Sequence, residues 1–155
     1  MEHWRTIKEH TRYEVSSHGN VRAKAYVSAD GLREYDCKTK SLSTTADGYK
    51  RAMLHGANTP RTTEAFNGKR GGSGPRKNAF VHRLVAQAFL DDWDASMDVD
   101  HIDRNPSNNH VSNLRMVTRQ QNLELRMRQV QKIQRIIDLS REGMTADEIA
   151  KIIGA

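Results

Sequence analysis

Asp100 and His101 are neighbours in the chain, and two asparagines, Asn113 and Asn122, follow His101 after twelve and twenty-one residues. A carboxylate is an oxygen donor suited to a hard cation, and a side-chain amide offers a second oxygen of the same kind. A neutral imidazole, with an ordinary pKa of about 6.5, can take a proton from water at neutral pH. Asp100, Asn122 and His101 together hold the parts of a hydrolytic site working with Mg²⁺ or Mn²⁺. Any one of them alone reads more simply as a polar surface residue. The grouping carries the argument.

These residues need a frame. Val99 to Ile102 reads as a short strand. Residues 103–112 are dense in Asn, Asp, Ser and Pro, which bend a backbone and bond to it. Leu114 to Val117 reads as a second strand, and Thr118 is a good N-cap for a helix starting near Arg119, with Leu123 on its inner face. The predicted unit is strand, long loop, strand, helix. Upstream, Val81, Leu84, Val85, Ala88 and Phe89 mark one apolar face of a helix that should pack beneath this unit. His82 falls beside that face and His110 lies in the loop; a structural role is the simpler reading of both.

The first 80 residues read as short strands. Tyr13-Glu14-Val15-Ser16 and Val21-Arg22-Ala23-Lys24 flank turn residues at Ser17 to Asn20, a hairpin pattern. Asp47-Gly48 marks another turn before a weaker strand over Tyr49 to Leu54. Residues 56–78 carry five glycines and two prolines among Arg61, Lys69, Arg70, Arg76 and Lys77, and read as a flexible basic loop. The first 80 residues hold 15 basic and 8 acidic side chains. Such a surface suits a polyanion, and Arg22, Lys24, Lys50, Arg51, Arg70, Arg76 and Lys77 are the candidate DNA contacts. A two- or three-stranded basic ribbon fits the major groove. Ordinary solvated charge on a small packing sheet is the alternative.

The segment from Asp98 to Asn122 resembles the HNH nucleases, in the branch found among phage and intron-encoded homing endonucleases. The resemblance rests on Asp100-His101, Asn113-Leu114 and Asn122. It also rests on Val81-His82-Arg83-Leu84-Val85-Ala86-Gln87-Ala88-Phe89 and on Trp4, Tyr13 to Ser16, Gly19 and Val21-Arg22. It implies an α+β protein: an N-terminal small antiparallel sheet module (residues 1–78), a ββα-metal nuclease core (79–128) and C-terminal helices (129–155) forming a partial helix-turn-helix. It implies duplex DNA as partner and phosphodiester hydrolysis, with His101 as general base and Asp100 and Asn122 on the metal. Asn113 would hold the loop and orient His101. Asn122 stands where many family members have His, which favours a hard cation over zinc or nickel.

At the C-terminal end, Val130, Ile133, Ile136 and Ile137 make a helical apolar face that Gly143 interrupts. Thr145 caps a second helix with Ile149, Ile152 and Ile153 inward. These resemble the first two helices of a helix-turn-helix. The sequence stops at Ala155, where a recognition helix would begin, so the tail is expected to pack, dimerise or touch phosphate rather than read bases.

Composition narrows the classes. The net charge is +6 and the sequence pI about 9.7. One cysteine, Cys37, leaves no disulfide framework and no paired-cysteine zinc site. No apolar run is long enough to span a bilayer and the polar start is not a secretory signal. The expected setting is the cytoplasm of a phage's or bacterium's host cell, without a membrane partner, as a monomer or weak dimer. One active site per chain makes nicking the natural product. The rival readings are a DNA-binding regulator with a vestigial nuclease core and an RNA-processing or RNA-binding protein.

Overall fold

The computed structural model describes residues 1–28, 31–55 and 76–154. These form two compact units, Met1–Met116 and Val117–Ala155. The architecture is α+β, with small antiparallel sheets and three helices among the described residues.

In the first unit, β1 (Trp4–Thr6), β2 (Tyr13–Ser16) and β3 (Val21–Ala23) pair in antiparallel order. Strands β4 (Tyr26–Val27) and β5 (Glu34–Tyr35) form a separate hairpin, and β6 (Lys38–Thr39) then closes the first sheet against β3. The β2–β3 hairpin is the one its turn residues predict. Gly19 sits in the turn at φ +85°, where a side chain would be strained. A second sheet has β7 (Leu42–Thr44), β8 (Lys50–His55) and β9 (Arg76–Phe80) side by side. Strand β9 corrects the loop expected over 56–78. Arg76 and Lys77 pair with His55 and Leu54 of β8, because the β8 edge supplies partners for their backbone groups. Residues 56–75, with Arg70, lie outside the described residues.

Helix α1 (Val81–Phe89) covers the predicted apolar face. Val81, Leu84 and Val85 enter one core with Ile7, Tyr13, Val15, Val21, Ala52, Leu54 and Leu114. The helix contacts β1, β2, β8, β9 and the later strand β10 (Asp98–His101). The sheets, the helix and the start of β11 (Leu114–Val117) therefore share a single apolar interior.

In the second unit, α2 (Arg119–Arg141) runs unbroken for 23 residues, and α3 (Ala146–Ile153) packs on it. Both start on capping boxes, Thr118 with Gln121 and Thr145 with Glu148. Leu139 is the buried anchor of α2. Leu123, expected on the inner face, is 58% exposed, and Ile152 is also exposed while Ile149 and Ile153 are half-buried. A short partner covers only part of a long helix's apolar stripe.

Leu54→Ala should lower unfolding free energy by about 2–5 kcal/mol, because Leu54 is fully enclosed in the core. Met53→Ala, on the exposed face of the same strand, should change it by no more than about 0.5 kcal/mol. Urea denaturation of the two variants checks both.

Candidate active site

Strand β10 ends on Asp100 and His101, which are only 7% and 5% exposed. Its partner β11 is preceded by a 3₁₀ turn at Val111–Asn113. The residues between are irregular, and their polar groups satisfy one another. The Asn113 Nδ2 donates to Asp103 Oδ1 (2.8 Å) and to the Asn108 carbonyl (2.9 Å), while its Oδ1 accepts from the Asp103 amide (3.0 Å). Asp103 also accepts from the Asn105 amide and from Asn108 Nδ2. Those donors, the Asn105 amide foremost, hold the Asp103 carboxyl below the usual carboxylate range. Asn113 thus ties one end of the loop to the other. The hydrogen bond on the His101 ring goes to a different residue, Asn109, whose Oδ1 lies 3.2 Å from Nε2.

The Asp100 carboxylate is gripped from two sides. Arg115 approaches Oδ2 with Nη2 at 2.7 Å and Nε at 2.8 Å. Arg104 approaches Oδ1 at 3.2 Å. Arg104 is the one non-glycine residue at positive φ (64°) among the described residues, a conformation that concentrates at functional loops. The His101 ring lies against Tyr49 and His82, with centroids 5.9 and 5.3 Å away.

Residues 79–124 match the HNH endonuclease family, and residues 2–55 match the NUMOD4 motif. The SPbeta prophage-derived protein YosQ of Bacillus subtilis (strain 168), named as an HNH homing endonuclease, is 52% identical over 46 residues. That stretch is 30% of this chain and 27% of YosQ. The DNA endonuclease I-HmuI of Bacillus phage SP01 is 34% identical over 125 residues, 80% of this chain and 57% of that protein. The solved structure described as "DNA binding and cleavage by the HNH homing endonuclease I-HmuI" superposes with a TM-score of 0.58 and 30% identity. It covers 97% of this chain and 67% of that one. The chain belongs to the HNH homing endonucleases. It spans about a quarter and a little over half of the length of the two curated relatives.

Within this HNH homing endonuclease, the strand, loop, strand and helix order predicted for Asp98 to Asn122 is present. Asp100, His101 and Asn113 are brought together in the first unit. Asn122 belongs to the second unit, in the first turn of α2, with its amide bonded to the Thr118 carbonyl. Hard cations are often held by one or two protein oxygens plus water and phosphate. The Asp100 carboxylate is an oxygen donor of that kind. The three guanidinium contacts on Asp100 leave part of a carboxylate's roughly four lone-pair positions open, and the long Arg104 contact is the one best able to yield. A closed all-protein cage is not the pattern: no group of three or more His, Cys, Asp or Glu is gathered for a metal among the described residues.

The basic candidates divide. Arg22 is paired with Glu14 (2.8 Å) and lies over the Trp4 ring (4.1 Å). Lys50 donates to Thr44 Oγ1. Lys24 is half-buried just after β3. Arg51 faces Phe80 across the β8–β9 ladder, and Arg76 faces His55; side chains directly opposite share a face. Exposed Met53, Asn78, Phe80 and Arg76 and half-buried Arg51 thus line one outer surface. Lys77 is exposed on the next register position.

Sequence reasoning misses Arg104, Arg115, Asn109, Tyr49 and the closeness of His82 to His101. The partner of a strand-end carboxylate depends on register, which the short strands around Asp100 do not declare. His110 caps the 3₁₀ turn through Nδ1 to the Ser112 amide, the structural role expected. His82 is buried, and its Nδ1 has no hydrogen-bond partner among the described residues. Burial first, then the nearby His101 and Arg83, push its pKa down to about 4. The unfolded chain therefore binds a proton below about pH 6.5 that the folded chain refuses until about pH 4. Stability from this group is present above pH 6.5 and is lost as pH falls toward 4, on the order of 3 kcal/mol in all. Urea midpoints measured between pH 7 and 5 should fall with pH in the wild type and fall less in His82→Phe.

Proposed function

We propose that this chain hydrolyses phosphodiester bonds in duplex DNA with Mg²⁺ or Mn²⁺, nicking one strand per visit at preferred sites. One observation carries the reading. At the end of β10, His101 and Asp100 lie enclosed at the mouth of a loop whose far end is tied back by Asn113. The solved I-HmuI structure, described as binding and cleaving DNA, supports the same substrate.

In this mechanism His101 takes a proton from water as the water oxygen attacks phosphorus, and the bond to the 3′ oxygen breaks. Asp100 and Asn122 would hold the divalent cation, which would relieve charge on the phosphate and the leaving oxygen. Arg104 and Arg115 keep the enclosed Asp100 carboxylate compensated, so the site does not carry a bare buried charge. Arg104, released from Asp100, would meet a phosphate oxygen. The outer surface of β8 and β9, with Arg51 and Arg76, supplies contacts to the duplex backbone.

The same two ion pairs favour a second reading. A carboxylate held by two guanidiniums is also what a disused centre would keep, leaving a DNA-binding regulator. Relaxation of supercoiled plasmid separates the two. The nuclease reading expects Mg²⁺- or Mn²⁺-dependent nicking that EDTA stops, that His101→Ala lowers by at least about 100-fold, and that Asp100→Ala retains only at much higher metal. His101→Ala should bind duplex DNA as tightly as the wild type. Wild-type protein that binds duplex but never nicks it would establish the regulator. In gel-shift titrations, Arg51→Ala with Arg76→Ala should weaken binding and reduce the log–log salt slope by about 2.

A further inference from the structure

The imidazole of His101 makes its hydrogen bond to the side chain of Asn109, eight residues on, and both residues are buried. The amide has one orientation that serves both of its ends. Its Nδ2 donates to the Ser107 carbonyl at 3.2 Å, so the oxygen must face the ring. An oxygen accepts only, so Nε2 of His101 must carry the hydrogen. A neutral imidazole has one protonated nitrogen, which leaves Nδ1 bare and able to take a proton.

Asn109 is itself seated by two turns of the N-terminal strands. The Gly19 turn comes so close that a Cβ there would lie 2.7 Å from Asn109 Cβ. Beside it, the Val111 amide donates to the Ser17 carbonyl at 2.8 Å. From the other side, Gly48, at φ +84°, leaves room for Pro106, whose Cγ would be 2.9 Å from a Cβ at that position. Ser107 Oγ donates to the Gly48 carbonyl at 2.9 Å. Ser107 is also the residue whose carbonyl fixes the Asn109 amide. Contacts therefore run from Gly48 through Ser107, and from Gly19 directly, to Asn109 and on to His101.

We infer that Asn109 is the positioning residue that fixes the tautomer and aim of His101, and that the Gly19 and Gly48 turns of the N-terminal strands build its seat. The role as aid to catalysis rests on the reading of His101 as general base. It gives residues 2–55 work beyond holding DNA: they shape the site from behind.

Two measurements on the full chain test this. The first is the ¹⁵N spectrum of the neutral histidines, with His101 assigned by its loss in His101→Gln. The expected state is hydrogen on Nε2 in the wild type and in Asn109→Asp, and a mixture of tautomers in Asn109→Ala. The second is nicking with Mg²⁺ or Mn²⁺. Asn109→Ala should lower kcat by about 10–100-fold with the Kd for duplex DNA unchanged, and Asn109→Asp, which keeps the acceptor, should recover most of the rate. Gly19→Ala, if its melting curve shows it folded, should lose rate like Asn109→Ala. Hydrogen on Nδ1 in the wild type, or an Asn109→Ala variant that nicks at the wild-type rate, would overturn the inference. If the wild type does not nick at all, the nuclease reading fails, and the tautomer of His101 alone decides whether Asn109 positions it.

Discussion

A buried polar group must find a partner or forfeit a few kcal/mol. That constraint governs this protein, because its chemical residues sit on an irregular stretch that is partly enclosed. Asp100, His101, Asn109 and Asn113 are all buried, yet they lie at or beyond a strand end where no ladder satisfies them. The solution is local and nearly closed. Asp103 and Asn113 bond each other and the loop backbone, two arginines answer Asp100, and Asn109 answers His101.

Such a loop cannot hold its shape from its own bonds alone. The first unit supplies the outside walls. Val81 and Val85 of α1 join Val15, Val21, Leu54 and Leu114 in one interior, which fixes where β2, β8 and β11 stand. Their turns then reach the loop at Gly19 and Gly48, two positions where only a missing side chain permits the approach. The matches to an HNH endonuclease over 79–124 and to NUMOD4 over 2–55 meet in that interior. Two sequence motifs here share one core.

Much of this frame is legible in the sequence because it rests on local rules. The turn residues between Tyr13 and Ala23 specify a hairpin, the i, i+3, i+4 spacing from Val81 specifies α1, and Thr118 with Gln121 specifies the start of α2. Asp100, His101 and Asn113 are legible by type and spacing. Strand β9 is not, because Arg76-Lys77-Asn78 has no apolar alternation and becomes a strand only by pairing with β8. Arg22 reads as a free cation, but Glu14 stands opposite it on the ladder. Asn109 is one of four asparagines between positions 105 and 113. Nothing in that run marks the one that meets the imidazole; only the folded loop does. The C-terminal apolar stripe predicts a helix correctly, but its period does not tell how much of the stripe a short partner will cover.

The proposed role of Asp100 as a cation ligand beside His101 makes its arginine contacts the resting arrangement. Crystals of the full chain with duplex DNA and Mn²⁺, measured at a wavelength where manganese scatters anomalously, address that role directly. Such crystals should show a manganese peak within bonding distance of an Asp100 oxygen, with Arg104 drawn off to phosphate. DNA bound with both arginines still on Asp100 and manganese elsewhere would contradict it.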